Sequence, residues 1–272
     1  MCSAFLRTWA ATLLLLAPPS AGGARELRVC ADPNNLPFSN ERQEGFENRI
    51  VRLVADVLHA DLTYVWWAQR RGFIRNTLKA GDCDLVPGVM TGLEMLRSTR
   101  PYYRSTYVFA WRSDSHLDIA SFDDPELREL KIGVQLVGDD GANTPPVHAL
   151  TRRGIVGNVR GYTLYGDYGT PNPAGAVMQA LARDEIDVAI AWGPFAGFYA
   201  AGHPGMLTLK PVGPAIDRPF IPMVFDIGMG VRRDDTTLRG EVQAALLARK
   251  DDIDAILASY GVPRLDALGA AP

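Results

Sequence analysis

Short apolar runs alternate with amphipathic segments along the first third of the chain. Apolar residues recur at helical spacing over residues 46–58, with Glu47 assigned to the polar side, and this pattern predicts a helix of about three turns. A shorter helical pattern begins at residue 73 and ends at Gly81. The strands predicted around these helices are residues 27–30, 62–67 and 84–89. Such alternation is typical of a doubly wound α/β unit.

The pattern is repeated, without sequence repetition, farther along the chain. Residues 101–112 are rich in aromatic and β-branched side chains, which favours one long strand. The second series consists of strands at 131–134, 158–165 and 187–191, with helices at 147–153 and 174–183. An extended apolar segment at 220–231 precedes an amphipathic helix at 237–259, which we expect to be interrupted around Asp251 and Asp252.

Two α/β series and two long extended segments predict two lobes joined by two hinge strands. Each lobe would be a mostly parallel sheet with flanking helices, and a cleft would lie between them. We expect the first lobe to be discontinuous, with residues 25–110 and 226–268, and the second to comprise residues 111–225.

The first 24 residues have the pattern of a signal peptide. Arg7 precedes an apolar run that is too short to span a bilayer, and small residues follow, with cleavage expected after Ala24. The mature chain would then be exported, and it would keep Cys30 and Cys83. These two residues could form a disulfide, as an oxidising compartment permits, or could be two buried thiols; the sequence favours neither.

Composition narrows the class of protein. Hydrophobic content of 47% and charged content of 22% are ordinary for a globular chain. A formal charge of −3 without a long basic run argues against a nucleic-acid partner. After the N-terminal segment, no apolar stretch reaches the length of a membrane span. We therefore expect a globular, exported monomer.

The loop after the first strand is the first candidate site. It carries Asp32, Asn34 and Asn35 between two prolines, and ligands in open α/β sheets bind beyond the carboxyl ends of parallel strands. An ordinary loop that uses these side chains for its own turns is the alternative.

The sequence gives little support for a metal-binding site or a catalytic nucleophile. The four histidines are far apart in the sequence and none forms a paired metal-binding motif, so we expect no metal site and no cofactor. Asp139 and Asp140 could bind a hard cation, but a loop that uses them for its turns is the favoured interpretation. The chain lacks a Gly-x-Ser-x-Gly nucleophile motif.

Motifs spread over the mature chain resemble family 3 solute-binding proteins, the two-lobed periplasmic receptors of ABC importers, also called type II binding proteins. The matching pieces, in the order of the family, are residues 27–32 with 36–38, 45–47, 81–84, 90–91, 101–103, 132–135, 253–257 and 260–261. Each piece is weak alone, but together they indicate the family.

A narrower set of segments is similar to one subgroup of that family, the J-type components encoded beside PQQ-dependent methanol dehydrogenases. These segments are residues 29–40, 99–107, 133–135 with 138–146, and 166–168 with 171–173. The resemblance implies that a quinoprotein methanol or alcohol dehydrogenase is a partner, with its c-type cytochrome as a second candidate.

The chain departs from amino-acid receptors of this family. The nearest candidate for their carboxylate-binding arginine is Arg97, in a segment after Thr91 that is shorter than the family pattern. Where the receptors carry an acidic partner for the ammonium group, this chain has Trp192. A tryptophan offers cation–π contact but no counter-charge, so a free α-amino acid is disfavoured as ligand.

The resemblance and these departures together predict an aromatic and amide-rich cleft. Its candidate residues are Asp32, Asn34, Asn35, Trp67, Thr91, Arg97, Tyr102, Asp139, Asp140, Asp167, Tyr168 and Trp192. Such a wall would suit a flat apolar ligand or a protein segment. Plain core packing is the alternative for each tryptophan and tyrosine, and caps or turns are the alternative for the aspartates.

The hypothesis is a non-enzymatic periplasmic accessory protein of a PQQ-dependent dehydrogenase. The alternative is an importer receptor for a small molecule that is not a free α-amino acid. An enzyme with cleft carboxylates as acid and base is a third class, and the fold alone does not exclude it.

Overall fold

The computed structural model describes residues 25–137, 143–164, 168–170 and 172–265, and the predicted signal peptide lies outside these ranges. The helices are α1 Phe46–Val57, α2 Phe73–Asn76, α3 Pro145–Arg152, α4 Ala176–Ala182, α5 Gly193–Gly202, α6 Thr236–Ala248 and α7 Lys250–Ser259. The strands are β1 Arg25–Ala31, β2 Asn34–Asn35, β3 Ser39–Asn40, β4 Ala60–Trp66, β5 Val86–Met90, β6 Arg97–Ser98, β7 Tyr103–Arg112, β8 Ile132–Leu136, β9 Val159–Thr163, β10 Val188–Trp192, β11 Leu207–Pro211, β12 Ile216–Asp217, β13 Ile221–Pro222 and β14 Val224–Val231.

The first lobe contains β1, β4 and β5 with helices α1, α6 and α7. Strands β1 and β4 pair in parallel along their whole length, and a parallel bridge from Val29 to Leu85 links β1 to the start of β5. Helix α1 buries Ile50, Val51 and Val54 completely against this sheet. Full burial of each such side chain contributes about 1.5–3 kcal/mol, so the apolar face of α1 is a main source of stability in this lobe.

The second lobe is organised on β8, with β9 and β10 paired to it in parallel. Helices α3 and α4 contact this sheet, and α5 packs on β7, β10 and β11. Two clusters of buried apolar side chains fill this lobe, one of them around Phe109 and Ile132 and the other around Val177 and Ala189.

Strands β7 and β14 connect the two lobes. They pair antiparallel from Thr106 with Val224 to Tyr103 with Ile227. Strand β7 also pairs with β10 of the second lobe, and β14 also pairs with β5 of the first. The predicted fold class, a two-lobed α/β binding protein with two connecting strands, is confirmed. The residue limits proposed for each lobe stay a prediction, because both strands belong to both halves.

The helices differ from the sequence expectations at three places. Helix α2 is a single turn, because the chain after Asn76 continues in turns rather than as a helix to Gly81. Helix α5 was not predicted, since its residues are apolar on every side and include three glycines and a proline. The interruption in the C-terminal helix falls at Arg249, just before the predicted position. In the described ranges, no helix is long and apolar enough to cross a membrane.

A disulfide joins Cys30 of β1 to Cys83, with Cα atoms 5.6 Å apart, so the structure decides between the two alternatives left open. Beside it, Asp84 accepts a two-pronged contact from Arg28 and a further hydrogen bond from Arg232. Burial alone would raise the pKa of Asp84, but the hydrogen bonds from the two arginines outweigh burial and lower it. The disulfide and this ion cluster together tie β1, the segment before β5 and the end of β14.

Removing the disulfide should destabilise the protein without changing the fold. Its cysteines are 53 residues apart, and the chain-entropy model gives about 4 kcal/mol for a link of this span. We expect the Cys30→Ala/Cys83→Ala variant to lose stability of this order in urea unfolding. A reducing agent should destabilise the natural protein by a similar amount and leave the variant unchanged; a natural protein insensitive to reduction would contradict the link.

Candidate functional site

A cavity of about 530 Å³ lies between the two lobes. This volume falls within the range of pockets that hold small molecules. Its described lining residues are Asn35, Phe38, Glu47, Gln69, Gly88, Met90, Tyr103, Tyr107, Gln135, Pro145, Leu164, Trp192, Phe195, Pro222, Phe225 and Ile227. Both lobes and both connecting strands contribute to this list, so the cavity would change shape whenever the lobes move.

Aromatic rings form much of the wall. Trp192, at the end of β10, makes edge-to-face contacts with Tyr107 of β7 and Phe225 of β14, with ring centroids 5.3 and 5.7 Å apart. Phe38 of the first lobe meets Phe195 of the second in the same geometry at 5.0 Å. Such pairs contribute about 0.5–1.5 kcal/mol beyond the area that they bury. The rings therefore fix the wall on both sides of the cleft.

Glu47 is the buried carboxylic acid of this cavity, with 5% of the residue exposed. It lies in the first turn of α1, whose backbone N–H groups at Phe46 and Glu47 donate to the carbonyls of Pro37 and Phe38. Its carboxyl group lies against Gly88 of β5, where a Cβ atom would come within 1.8 Å of Oε1 and where φ is +65°. Only glycine fits at that position, so β5 leaves room for the acid.

The pKa of Glu47 is raised to about 8. Burial is the main cause, because it penalises the charged form, and the negative charge of Asp32 adds to it. No donor in the described part of the chain hydrogen-bonds the carboxyl oxygens of Glu47, so nothing there offsets the cost of ionisation. A ligand that supplies positive charge would lower this pKa.

Gln135 presents a second unused polar group. The residue is 2% exposed and lies on β8, where its Oε1 accepts a hydrogen bond from the backbone N–H of Trp192 at 2.9 Å. Its Nε2 is buried and has no hydrogen-bond partner. A buried donor without a partner costs about 1–3 kcal/mol, and a ligand acceptor could remove that cost.

Asp32 holds the mouth of the cleft together. It is 1% exposed, and its carboxylate accepts hydrogen bonds from the backbone N–H of Asn34 at 2.8 Å and of Gln69 at 2.7 Å. The hydroxyl of Tyr168, in the second lobe, donates to the same carboxylate at 2.6 Å. The guanidinium of Arg70 lies 4.8 Å from the centre of the Tyr168 ring. One buried acid thus connects two loops of the first lobe to the second.

Asn34 adds a second link across the cleft. Its Nδ2 donates to the carbonyl of Thr170 at 2.9 Å, and its Oδ1 accepts from the backbone N–H of Asn172 at 3.1 Å. We call the contacts of Asp32 and Asn34 with Tyr168, Thr170 and Asn172 the latch. The latch places the protein in a closed arrangement.

The structure brings some of the predicted site residues together. Asn35 and Trp192 line the cavity, and Asp32, Asn34 and Tyr168 form the latch. Asp139, Asp140 and Asp167 lie outside the described residues.

The remaining predicted residues are not among the described residues that line the cavity. Trp67 follows β4 and is 45% exposed. Thr91 follows β5, and its backbone N–H donates to the carbonyl of Asp226 on β14. Arg97 lies on β6, which pairs with the end of β14, and it donates to the carbonyl of Arg233 just after that strand. Tyr102 packs against the apolar core of the first lobe, and burial raises its pKa well above the usual value.

Sequence reasoning missed Glu47 and Gln135. Glu47 was assigned to the polar side of α1, and that assignment was wrong: it precedes Ile50, Val51 and Val54 by three, four and seven positions, and it is buried with them. This spacing was the available signal. Gln135 gave none, because a polar residue in an apolar strand could equally face solvent.

A cavity closed between two α/β lobes that two strands connect defines a two-lobed binding protein. Bacterial extracellular solute-binding proteins, family 3, match residues 27–263, and the chain belongs to that family.

Three relatives place the chain more narrowly. It is 35% identical to protein MoxJ of Methylorubrum extorquens over 262 residues, which cover 92% of this chain and 84% of that protein. The crystal structure of the periplasmic binding protein XoxJ from Methylobacterium extorquens AM1 is 37% identical, with a TM-score of 0.72, over 88% of this chain and 99% of that one. The crystal structure of MxaJ from Methlophaga aminisulfidivorans is 26% identical, with a TM-score of 0.74, over 88% and 100%. The resemblance to the J-type subgroup is confirmed.

Removing the Asn34 side chain should open the cleft. Asn34→Ala loses the hydrogen bonds of this side chain with Tyr168, Thr170 and Asn172 in the other lobe. Each contributes about 0.5–1.5 kcal/mol, so we expect a larger radius of gyration in small-angle X-ray scattering. Asn35→Ala is the matched control, because the Nδ2 of Asn35 donates to Gln69 within the first lobe. Equal scattering from both variants would show that the latch does not hold the closed arrangement.

Proposed function

We propose that the protein is a non-enzymatic periplasmic accessory protein of a PQQ-dependent methanol or alcohol dehydrogenase. Its inter-lobe cleft would bind a ligand or a segment of the dehydrogenase. The observation that carries this proposal is the similarity to MoxJ over 92% of the chain, together with segments that resemble the components encoded beside such dehydrogenases. Export by the predicted signal peptide would bring the protein to the compartment of that enzyme.

The lining of the cavity argues against capture of a free α-amino acid. Its described residues include no lysine, arginine or histidine to pair with a ligand carboxylate. Trp192 stands at the strand end where amino-acid receptors of the family carry an acid. The cleft therefore lacks, in its described lining, the carboxylate clamp that a zwitterion requires.

The same lining supports a role without catalysis. Glu47 is the single carboxylic acid among the described residues that line the cavity. Hydration and elimination reactions need an acid and a base placed together. The second carboxylate nearby, that of Asp32, already accepts three hydrogen bonds and is not among the described residues of the lining.

Exposed apolar side chains near the cleft support a protein partner. Met90 lines the cavity and is 42% exposed. Phe220 is 87% exposed and precedes the cavity residue Pro222 by two positions, and Trp67 precedes Gln69 in the same way. Aromatic anchors of this kind dominate protein interfaces, so a dehydrogenase segment could contact both edges of the opened cleft.

Replacement of Trp192 should weaken binding of the dehydrogenase. Loss of a buried aromatic anchor typically costs about 2 kcal/mol, roughly thirtyfold in affinity. We expect Trp192→Ala to show this loss in biolayer interferometry with the quinoprotein dehydrogenase of the same organism, tested also with its c-type cytochrome. Leu247→Ala is the control, since Leu247 is exposed on α6 and is not among the described cavity residues.

Complex formation decides the proposal itself. Native mass spectrometry of the natural protein with the PQQ-free dehydrogenase should detect a complex, or the addition of the protein should raise the yield of active enzyme. Absence of both effects would overturn the accessory role.

The enclosed volume of about 530 Å³ favours one second candidate, an importer receptor for a small molecule. A ligand that binds only the folded protein stabilises it and so raises the melting temperature. At a ligand concentration a hundred times the dissociation constant, the stabilisation is about 2.7 kcal/mol. A thermal-shift panel of amino acids, organic acids, quinones and lanthanide salts should then give a hit outside the amino acids. A hit confined to amino acids would contradict this second candidate.

A further inference from the structure

Two unused polar groups face one aromatic cavity from opposite lobes. Glu47, on α1 of the first lobe, lines the cavity, and neither a hydrogen bond nor a positive charge from the described residues lowers its pKa. Nε2 of Gln135, on β8 of the second lobe, is buried without a hydrogen-bond partner. Protein interiors leave few such groups unsatisfied. Their presence at one cavity indicates that its occupant carries a donor or positive charge for the acid and an acceptor for the amide.

The charged groups around the cavity indicate whether its occupant is a cation or an anion. The acids at the cavity are Glu47 and the nearby Asp32, whose negative charge acts on Glu47. The described lining contains no lysine, arginine or histidine. An anion entering this cavity would lose its hydration and gain no counter-charge from the described lining, whereas a cation would favour the ionised form of Glu47 and pair with it.

The aromatic wall is suited to the same occupant. Trp192, Tyr107 and Phe225 pack edge to face, and Phe38 packs on Phe195, so the rings are held in fixed orientations. An alkylammonium group is weakly hydrated and interacts favourably with the faces of such rings. A metal ion is a poorer occupant, because in the described residues no group of three or more His, Cys, Asp and Glu is placed to hold one.

We propose that the cavity binds a small organic cation that has no carboxylate and carries an oxygen acceptor, with Glu47 as its counter-ion and Gln135 as the donor to its oxygen. Because these two groups belong to different lobes, the cation would stabilise the closed arrangement. This inference rests on the proposal that the inter-lobe cavity is a ligand site, and it names the chemical class of the ligand.

Binding of a permanent cation should depend on pH through Glu47. The groups facing Glu47 are Asp32 after β1, Tyr64 on β4, and Tyr102 and Tyr103 at the start of β7. Burial raises the pKa of all three tyrosines, so they stay neutral near neutral pH. The Asp32 carboxylate is held by three donors.

Since the pKa of unliganded Glu47 is about 8, it is protonated below that pH and must lose its proton to act as counter-ion. Affinity for a permanent cation should therefore rise about tenfold per pH unit below the pKa and level off above it.

The test uses choline and its neutral isostere 3,3-dimethylbutan-1-ol as probes in isothermal titration calorimetry. We expect choline to bind about tenfold more tightly at about pH 7 than at about pH 6, and the isostere to bind far more weakly than choline at both. Tetramethylammonium, which lacks the hydroxyl, should bind more weakly than choline because Gln135 has no acceptor to contact.

Two variants distinguish the contribution of the Glu47 carboxyl group to choline binding from the effect of removing any acid from this region. Glu47→Gln should abolish the pH dependence and most of the affinity for choline, while its melting temperature stays at or above that of the natural protein, since it removes a buried acid without a partner. Glu44→Gln is the matched control, because that side chain is half exposed and pairs with Arg42; it should leave choline binding unchanged.

Equal or tighter binding of the neutral isostere, or absence of choline binding, would overturn the inference. Neither result bears on formation of the dehydrogenase complex. The accessory role and the class of ligand therefore fail independently.

Discussion

Burial of carboxyl groups in the cleft is the constraint on which the rest of this structure depends. A buried acid must find donors, lose its charge or bind a cation. Asp32 finds its donors within the protein, and one of them, the hydroxyl of Tyr168, belongs to the other lobe. Glu47 finds none in the described residues, and its pKa is raised to about 8. The first acid therefore serves the closed arrangement of the protein, and the second remains available to an occupant.

The two connecting strands make these local interactions matter for the whole molecule. Strand β7 pairs with β14 at its start and with β10 and β11 farther along. A small change in its twist would therefore alter the angle between the lobes. The cavity wall includes Tyr107 of β7 and Phe225 of β14. An occupant of the cavity would contact the two strands that connect the lobes, and its binding would bias closure without a separate relay.

The fold was predictable from the sequence to a large extent, because it depends on patterns that local residues carry. The alternation of short apolar strands with amphipathic helices predicted β1, α1, β4 and most of the second lobe. Helix α5 escaped prediction because an element that is apolar on every side shows no helical period. The site was predictable only in part. Asn35 follows β1 and Trp192 ends β10, so both could be placed by the rule for open sheets. The position of Arg97 depended instead on an alignment across a shortened segment.

The latch and the size of the cavity together bear on how one cleft could serve both proposed occupants. A protein segment needs the lobes apart, since about 530 Å³ holds a small molecule and not a folded peptide. A small cation needs them together, because Glu47 and Gln135 lie in different lobes. The two occupants would then compete through the lobe angle even where they touch different residues. A cation that stabilises closure would reduce binding of a segment by the same free energy with which the segment disfavours the cation, since coupling between two binding events is reciprocal.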